Sequence, residues 1–270
     1  MWSFSTGAAC YCRVGWNRET HLSSHTVYWI RLGEGLPASK VSEIYMGFSP
    51  KMQNLFNASS TGEGPGLSPT YGQFDNGPSV FLKYANFAGE SLPQGWYSGT
   101  TPGGKGSVQI KNGVLISHSD RGGGTAYLGS NWVVADNVAE IDLRSEVAIN
   151  GQEMILVCSA SPTNYRWTAY SVGYQNMSGL EIEDNNSGAP SVLATARPNP
   201  TPSSVIGFHG GILFANYQSV TRVYPRICGG GYLASSVNTG ALASFSFDWI
   251  RLRRPPPDDV MPTAIFSQLR

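Results

Sequence analysis

A chain of 270 residues is long enough for one large domain or two ordinary ones, and its 18 basic and 18 acidic side chains cancel. That balance leaves no basic stripe to neutralise a phosphate backbone, so nucleic acid is not an expected partner. Charged residues make up 13%, against roughly 25% in ordinary globular proteins; glycine, serine, threonine, asparagine and tyrosine take their place, as on proteins exposed outside the cell.

Met1 to Trp16 is apolar and glycine-containing, and its opening, Met1 to Thr6, lacks the basic start and apolar middle of a signal peptide. No apolar run in the chain approaches the roughly 18 residues that span a bilayer as a helix. Cys10 and Cys12 open a set of four with Cys158 and Cys228, an even number that permits two disulfides in any of three pairings. Two residues apart, Cys10 and Cys12 do not bond each other easily, so each is expected to pair elsewhere, in this chain or a neighbour. Cys158, ending the apolar stretch from Met154, reads equally as a buried free thiol. With His21 and His25 nearby the spacing matches no zinc finger or ribbon, and no cofactor or metal ligand set is expected.

Segments of period-two character then follow one another: Val27 to Leu32, Glu43 to Phe48, Ser79 to Tyr84, Thr125 to Leu128, Tyr165 to Val172 and Gly211 to Ala215. Asn112 and Gly113, between Ser107–Ile110 and Val114–Ile116, supply the positive φ angles of a tight hairpin turn. In Ala139 to Ile149, Ile141, Leu143, Val147 and Ile149 share one face, expected to be core, while Glu140, Asp142, Arg144 and Glu146 share the other, expected to be wet. Near the end, Phe245, Phe247 and Trp249 fall on one side of a strand that also carries Ile250 and Leu252, so both faces are expected to be partly buried. Residues 57–66, 99–106 and 196–204 read as linkers or long loops. The expected organisation is an N-terminal β segment over 1–77 packing on a main sandwich over 78–254, with a Pro-led tail over 255–270.

The candidate sites follow from residue chemistry. Glu140, Asp142 and Glu146 line one strand face, but Arg144 among them makes a solvated face the reading, not a glycosidase pair. Glu181, Glu183 and Asp184 precede Asn185, Asn186 and Gly188 and are expected in a turn. That group, Asp120 before Gly122, and Asp136 with Asn137 are the candidates for a structural calcium ion. Tyr165 and Trp167 on one side of a strand, and Tyr170 and Tyr174 on the other, are candidates for contact with a glycan or a protein partner; Trp96 and Trp132 add to the same aromatic content. Asn57, Asn176 and Asn185 each begin an Asn-x-Ser acceptor for N-glycosylation. No nucleophile elbow, phosphate loop or dinucleotide fingerprint is present, and no catalytic residue is expected.

The segments Tyr28 to Leu32, Leu36 to Ser39 and Glu43 to Pro50 together resemble the end of an uncharacterised β domain common in archaeal surface proteins. Ala85 to Trp96 and the hairpin from Val108 to Ile116 resemble the opening of a concanavalin A-like lectin or laminin G-type jelly roll. Phe247 to Arg253 is similar to the last strand of that fold, and Val260 to Pro262 to the tail after it. The resemblance implies an all-β, antiparallel concanavalin A-like sandwich with an accessory N-terminal β segment, exposed on an archaeal cell or a related extracellular assembly. It carries over no catalytic residue. The expected function is that of a non-catalytic extracellular or cell-surface protein, structural or adhesive. Met1 to Trp16 would add to a neighbour's sheet in a filament or array, so the expected partners are further copies or other surface proteins. The alternative is a carbohydrate-binding, lectin-like module of a surface protein.

Overall fold

The computed structural model describes residues 2–4, 9–14, 26–32, 41, 43–44, 46–48, 61–63, 75–100, 106–119, 126–134, 136–148, 152–159, 168–175, 180–184, 191–196, 205–209, 211–222, 232–238, 243–256 and 265. In chain order, β1 (Trp2–Phe4), β2 (Ala9–Val14), β3 (Thr26–Arg31), β4 (Met46–Phe48) and β5 (Thr61–Glu63) precede a single helical turn, α1 (Gly77–Val80). There follow β6 (Lys83–Ala85), β7 (Trp96–Thr100), β8 (Gly106–Lys111), β9 (Val114–Ser119), β10 (Ala126–Val133), β11 (Val138–Ala148), β12 (Gln152–Ser159) and β13 (Thr168–Gln175). The last are β14 (Leu180–Asp184), β15 (Ser191–Ala196), β16 (Val205–His209), β17 (Ile212–Ala215), β18 (Gln218–Arg222), β19 (Tyr232–Asn238) and β20 (Ala243–Arg253).

Two antiparallel sheets form the sandwich. One is seven-stranded, in the order β15-β14-β13-β12-β19-β10-β7; the other is eight-stranded, in the order β18-β17-β16-β11-β20-β9-β8 with β6 added beside β20. The core between them takes Trp96, Leu128 and Trp132 from the first sheet and Leu115, Ile141, Leu143, Ile206, Phe208, Phe245, Phe247, Ile250 and Leu252 from the second. This is the all-β concanavalin A-like sandwich expected. Outside it, β1 pairs with β4, and β2 lies between β3 and β5, parallel to the latter.

Local chemistry explains most of the elements. At the tip of the β8–β9 hairpin, Asn112 and Gly113 have φ of 53° and 74°, the left-handed pair of a tight turn, as their residue types demand. Ser79 to Tyr84, expected as one strand, instead splits into α1 and β6. Pro78 has its φ fixed near the helical value and needs no N–H in a first turn, and the Phe81 amide closes onto the Gly77 carbonyl at 2.9 Å. The stretch 57–66, read as a linker, contains β5.

The two long strands β11 and β20 differ from simple alternation. On β11, Ala139, Ile141 and Leu143 are fully buried as expected, but Glu140 and Asp142 are only 1% exposed, so the second face is not wet. On β20 the pairing with β11 shifts register between Ile141 and Leu143 and again before Ser145. Phe245 and Phe247 face the core before the shift; Ile250 and Leu252 face it afterwards. Trp249 therefore does not share a side with Phe245 and Phe247, as its odd number predicts; it lies beneath the guanidinium of Arg251 on the opposite face.

Candidate functional site

The outer face of the eight-stranded sheet carries a buried charge network. Register sets Glu140 opposite Arg251 on β20 and opposite Gly207 on β16. A Cβ at Gly207 would come 2.8 Å from Cγ of Glu140, so the glycine leaves room for the carboxylate. Arg251 donates through Nε to Glu140 Oε2 at 2.7 Å, and Arg253 donates through Nε to Oε1 at 2.9 Å. Arg144 pairs with Asp248 and stands 3.7 Å from Asp142. Burial works against the charge of Glu140, but Arg251 and Arg253 outweigh it and hold the carboxyl below its ordinary range. A group kept ionised by two arginines has no proton to donate, so this carboxylate is a structural anion and not a general acid.

Aromatic rings close over the network. The guanidinium of Arg251 lies 4.2 Å from the Phe81 ring, 4.3 Å from Trp249, 4.6 Å from Trp29 and 5.7 Å from Tyr217. Trp29 and Tyr217 meet edge to face at 5.5 Å. Tyr217 occupies a β17–β18 turn in which it and Asn216 have φ of 69° and 50°. A bulky residue is rarely left-handed, and here its ring is held by Trp29 and Arg251. The cover is tied to the chain beyond it where Arg31 donates to the Ser79 carbonyl at 3.0 Å. Beside it, Asp75 accepts from the Gly77 amide, the Tyr84 hydroxyl and the Asn86 amide; burial nevertheless raises its pKa against those bonds.

The outer face of the seven-stranded sheet has a different character. Ala126, Leu128 and Ser130 of β10 point into the core, so the intervening Tyr127 lies on the other side, half-buried, with Tyr97 of β7 beside it at 6.2 Å, edge to face. Each ring lies over the neighbouring strand's glycine. A Cβ at Gly129 would overlap Cζ and the hydroxyl of Tyr97, and one at Gly99 would come 2.5 Å from the hydroxyl of Tyr127. The Tyr97 hydroxyl is shielded and has no hydrogen-bond partner among the described residues. Burial, with Tyr127 adding to it, raises its pKa, so it stays a protonated donor.

From these tyrosines, register rows run across the sheet. One passes from Tyr127 through Ser236, Met154 and Gly173 to Glu181; the next passes from Tyr97 through Gly129, Ala234, Val157 and Ser171 to Glu183. Glu181, Glu183 and Asp184, expected in a turn, thus belong to β14 inside the sheet. Asn185 to Gly188 carry turn-forming residue types, but the strand before them runs on to Asp184.

The other expected site residues are dispersed. Cys10 and Cys12 sit two positions apart on β2, opposite Ile30 and Tyr28; Cys158 sits on β12 opposite Tyr170 and Leu233. Tyr170 and Tyr174 are on β13. Tyr165, Trp167, Cys228, Asp120, Asn57, Asn176 and Asn185 lie outside the described residues. Trp96 and Trp132 are not surface aromatics: they pack edge to face at 4.9 Å in the core. Asn137 caps its own turn by donating to the Val134 carbonyl. Among the described residues no group of three metal-ligating side chains comes together, and no helix is long and apolar enough to cross a membrane. Tyr97 and Tyr127 were not singled out from the sequence, although tyrosine and glycine alternate in both Tyr97–Gly99 and Tyr127–Gly129.

No family model matches the chain, and no curated protein matches it. Solved structures do. An endo-acting O-glycanase expressed by members of the human gut microbiota aligns at 13% identity and TM-score 0.47, over 64% of this chain and 99% of its own. A β-1,3-1,4-glucanase (lichenase) from a mouse hindgut metagenome gives 12% and 0.48 over 63% and 98%, and an endo-1,3-β-glucanase (laminarinase) from Thermotoga petrophila gives 11% and 0.47 over 64% and 96%. The likeness lies in the sandwich and brings no site residue with it. These neighbours are endo-glycosidases, and they correct the expectation of a non-catalytic structural or adhesive subunit assembling into filaments or arrays.

Proposed function

We propose that this chain is a carbohydrate-active sandwich working outside the cell, with a glycan lying across the outer face of the seven-stranded sheet. The observation that carries it is the position of Glu181 and Glu183 at alternate places on β14, in two register rows that hold no other charged residue between them and the tyrosines. Alternate strand positions are roughly 6.5 Å apart along the backbone, within the span of about 5 to 9.5 Å over which paired carboxylates cleave glycosidic bonds. The carboxylates of the opposite sheet are unsuited to that role, because Glu140, Asp142 and Asp248 are buried beside arginines. The glycosidase activities of the neighbouring structures support the same class of substrate.

The test is reducing-end release from laminarin, mixed-linkage β-glucan and β-galactan by the whole chain. Hydrolysis that disappears in Glu181→Gln or Glu183→Gln while glycan binding persists establishes the reading. A second reading, lectin-like binding without cleavage, rests on the aromatic pair Tyr97 and Tyr127 on the same face. It is distinguished by saturable binding with no product. A chain that neither binds nor cleaves any of these glycans is not carbohydrate-active.

A further inference from the structure

We infer that cleavage falls close to one end of the bound glycan, so that each cut releases a short product of constant size. This rests on the reading of Glu181 and Glu183 as the cleaving pair. The two stand at alternate positions along β14, so the line joining them follows that strand. Carboxylates placed in this way flank a glycosidic bond only when the glycan crosses β14 instead of running along it. The strands on either side of β14 therefore set how much of the glycan lies before the cut and how much after it.

β14 is next to last in its sheet. Five strand intervals separate it from β7, about 24 Å at the usual spacing, whereas one interval of about 5 Å separates it from β15. On the long side the rows from Glu181 and Glu183 pass through Gly173, Met154, Ser171 and Val157 and hold no charged residue as far as β7. On the short side Glu181 is opposite Thr195 and Glu183 is opposite Val192, and the register shifts between them, leaving Leu193 as an extra residue of β15. A bulge of this kind bends and twists an edge strand out of line for further pairing. β15 also lies beside β18, the end strand of the other sheet, so the sandwich closes along that edge. A β-linked sugar unit and a strand interval are of similar length. The sheet thus underlies several sugar units toward β7 and about one toward β15.

Time courses of the full chain with laminari-, mixed-linkage gluco- and galacto-hexasaccharides, labelled at the reducing end and read by mass spectrometry, test this. The first products should be a mono- or disaccharide of one size and the complementary longer fragment, with the label always on the same one of the two. The ratio kcat/KM should rise roughly tenfold or more from the tri- to the hexasaccharide as units occupy the long side. On the polymers, reducing ends should accumulate well before viscosity falls. First cleavage into two trisaccharides, label divided between short and long fragments, kcat/KM flat beyond the trisaccharide, or viscosity collapsing ahead of reducing ends would each overturn the inference while leaving the carbohydrate reading intact. Glu181→Gln and Glu183→Gln are the controls. No cleavage by the wild type, or cleavage that survives in both variants, would remove the reading of this pair itself, and the inference with it.

Discussion

Arg251 and Glu140 meet at 2.7 Å with their side chains 0% and 1% exposed, and Arg253 takes the second oxygen of the same carboxylate. Two cations on one anion leave an excess positive charge under the cover, and the faces of Trp29, Phe81 and Trp249 accommodate it. Removing one partner strands the other in a desolvated site. Glu140→Ala should cost about 3–5 kcal/mol in urea unfolding, and Arg251→Met, which fills the volume and removes one charge, should cost less than Arg251→Ala.

The same carboxylate sets an acid limit. Its folded pKa lies below the ordinary 4.5, so it contributes stability that is present above 4.5 and lost as the pH falls through the folded value. Asp75 has the opposite sign: its folded pKa lies above 3.8, so its contribution is present below 3.8 and lost as the pH rises through the folded value. Melting curves from pH 7 downward should show the gap between wild type and Glu140→Gln narrowing in acid. Asp75→Asn should steepen the acid loss relative to wild type.

Trp29 covers both arginines, with its ring 4.6 Å from Arg251 and 5.0 Å from Arg253, and it supports the left-handed Tyr217. Trp29→Ala should therefore lower stability by about 3 kcal/mol, the lower end for a tryptophan truncation because this one is only partly buried. The loss should show as a fall in Tm, with the β signature in far-ultraviolet circular dichroism retained.

Gly129→Ala places a methyl group where Tyr97 now lies. Overpacking of this kind costs about 1–3 kcal/mol, and the tyrosine must lift from the sheet to relieve it. Thermal melts should register the cost, and a crystal structure of the variant should show Tyr97 in another rotamer.

What could be read from the residues was what is decided within a few positions. Asn112 and Gly113 name their turn because only left-handed backbone closes a two-residue loop, and the turn formed. Ile141 and Leu143 name the core face of β11 because alternation places them. The fate of Glu140 was not local: it is paired with Arg251, more than a hundred residues later, whose guanidinium is covered in turn by Trp29 and Tyr217. The inversion within β20 was equally hidden, since a bulge leaves no residue type that marks it. Pro78 at the first turn signals α1, but Val80 and Leu82 fit a strand equally well, so local pattern alone does not decide between them. The contact between Tyr97 and Tyr127 depends on strand pairing, which brings each tyrosine to the other's glycine.

The inversion within β20 also guards the alignment of the strand. Ahead of it the inward side chains are Phe245 and Phe247, behind it they are Ile250 and Leu252, and Arg251 and Arg253 face outward. A slip by one residue would drive two guanidiniums between the sheets and strand Glu140 among aromatic rings. The register of β20 against β11 is thus specified by charge as well as by apolar alternation, so a one-residue misalignment of this pair is strongly disfavoured.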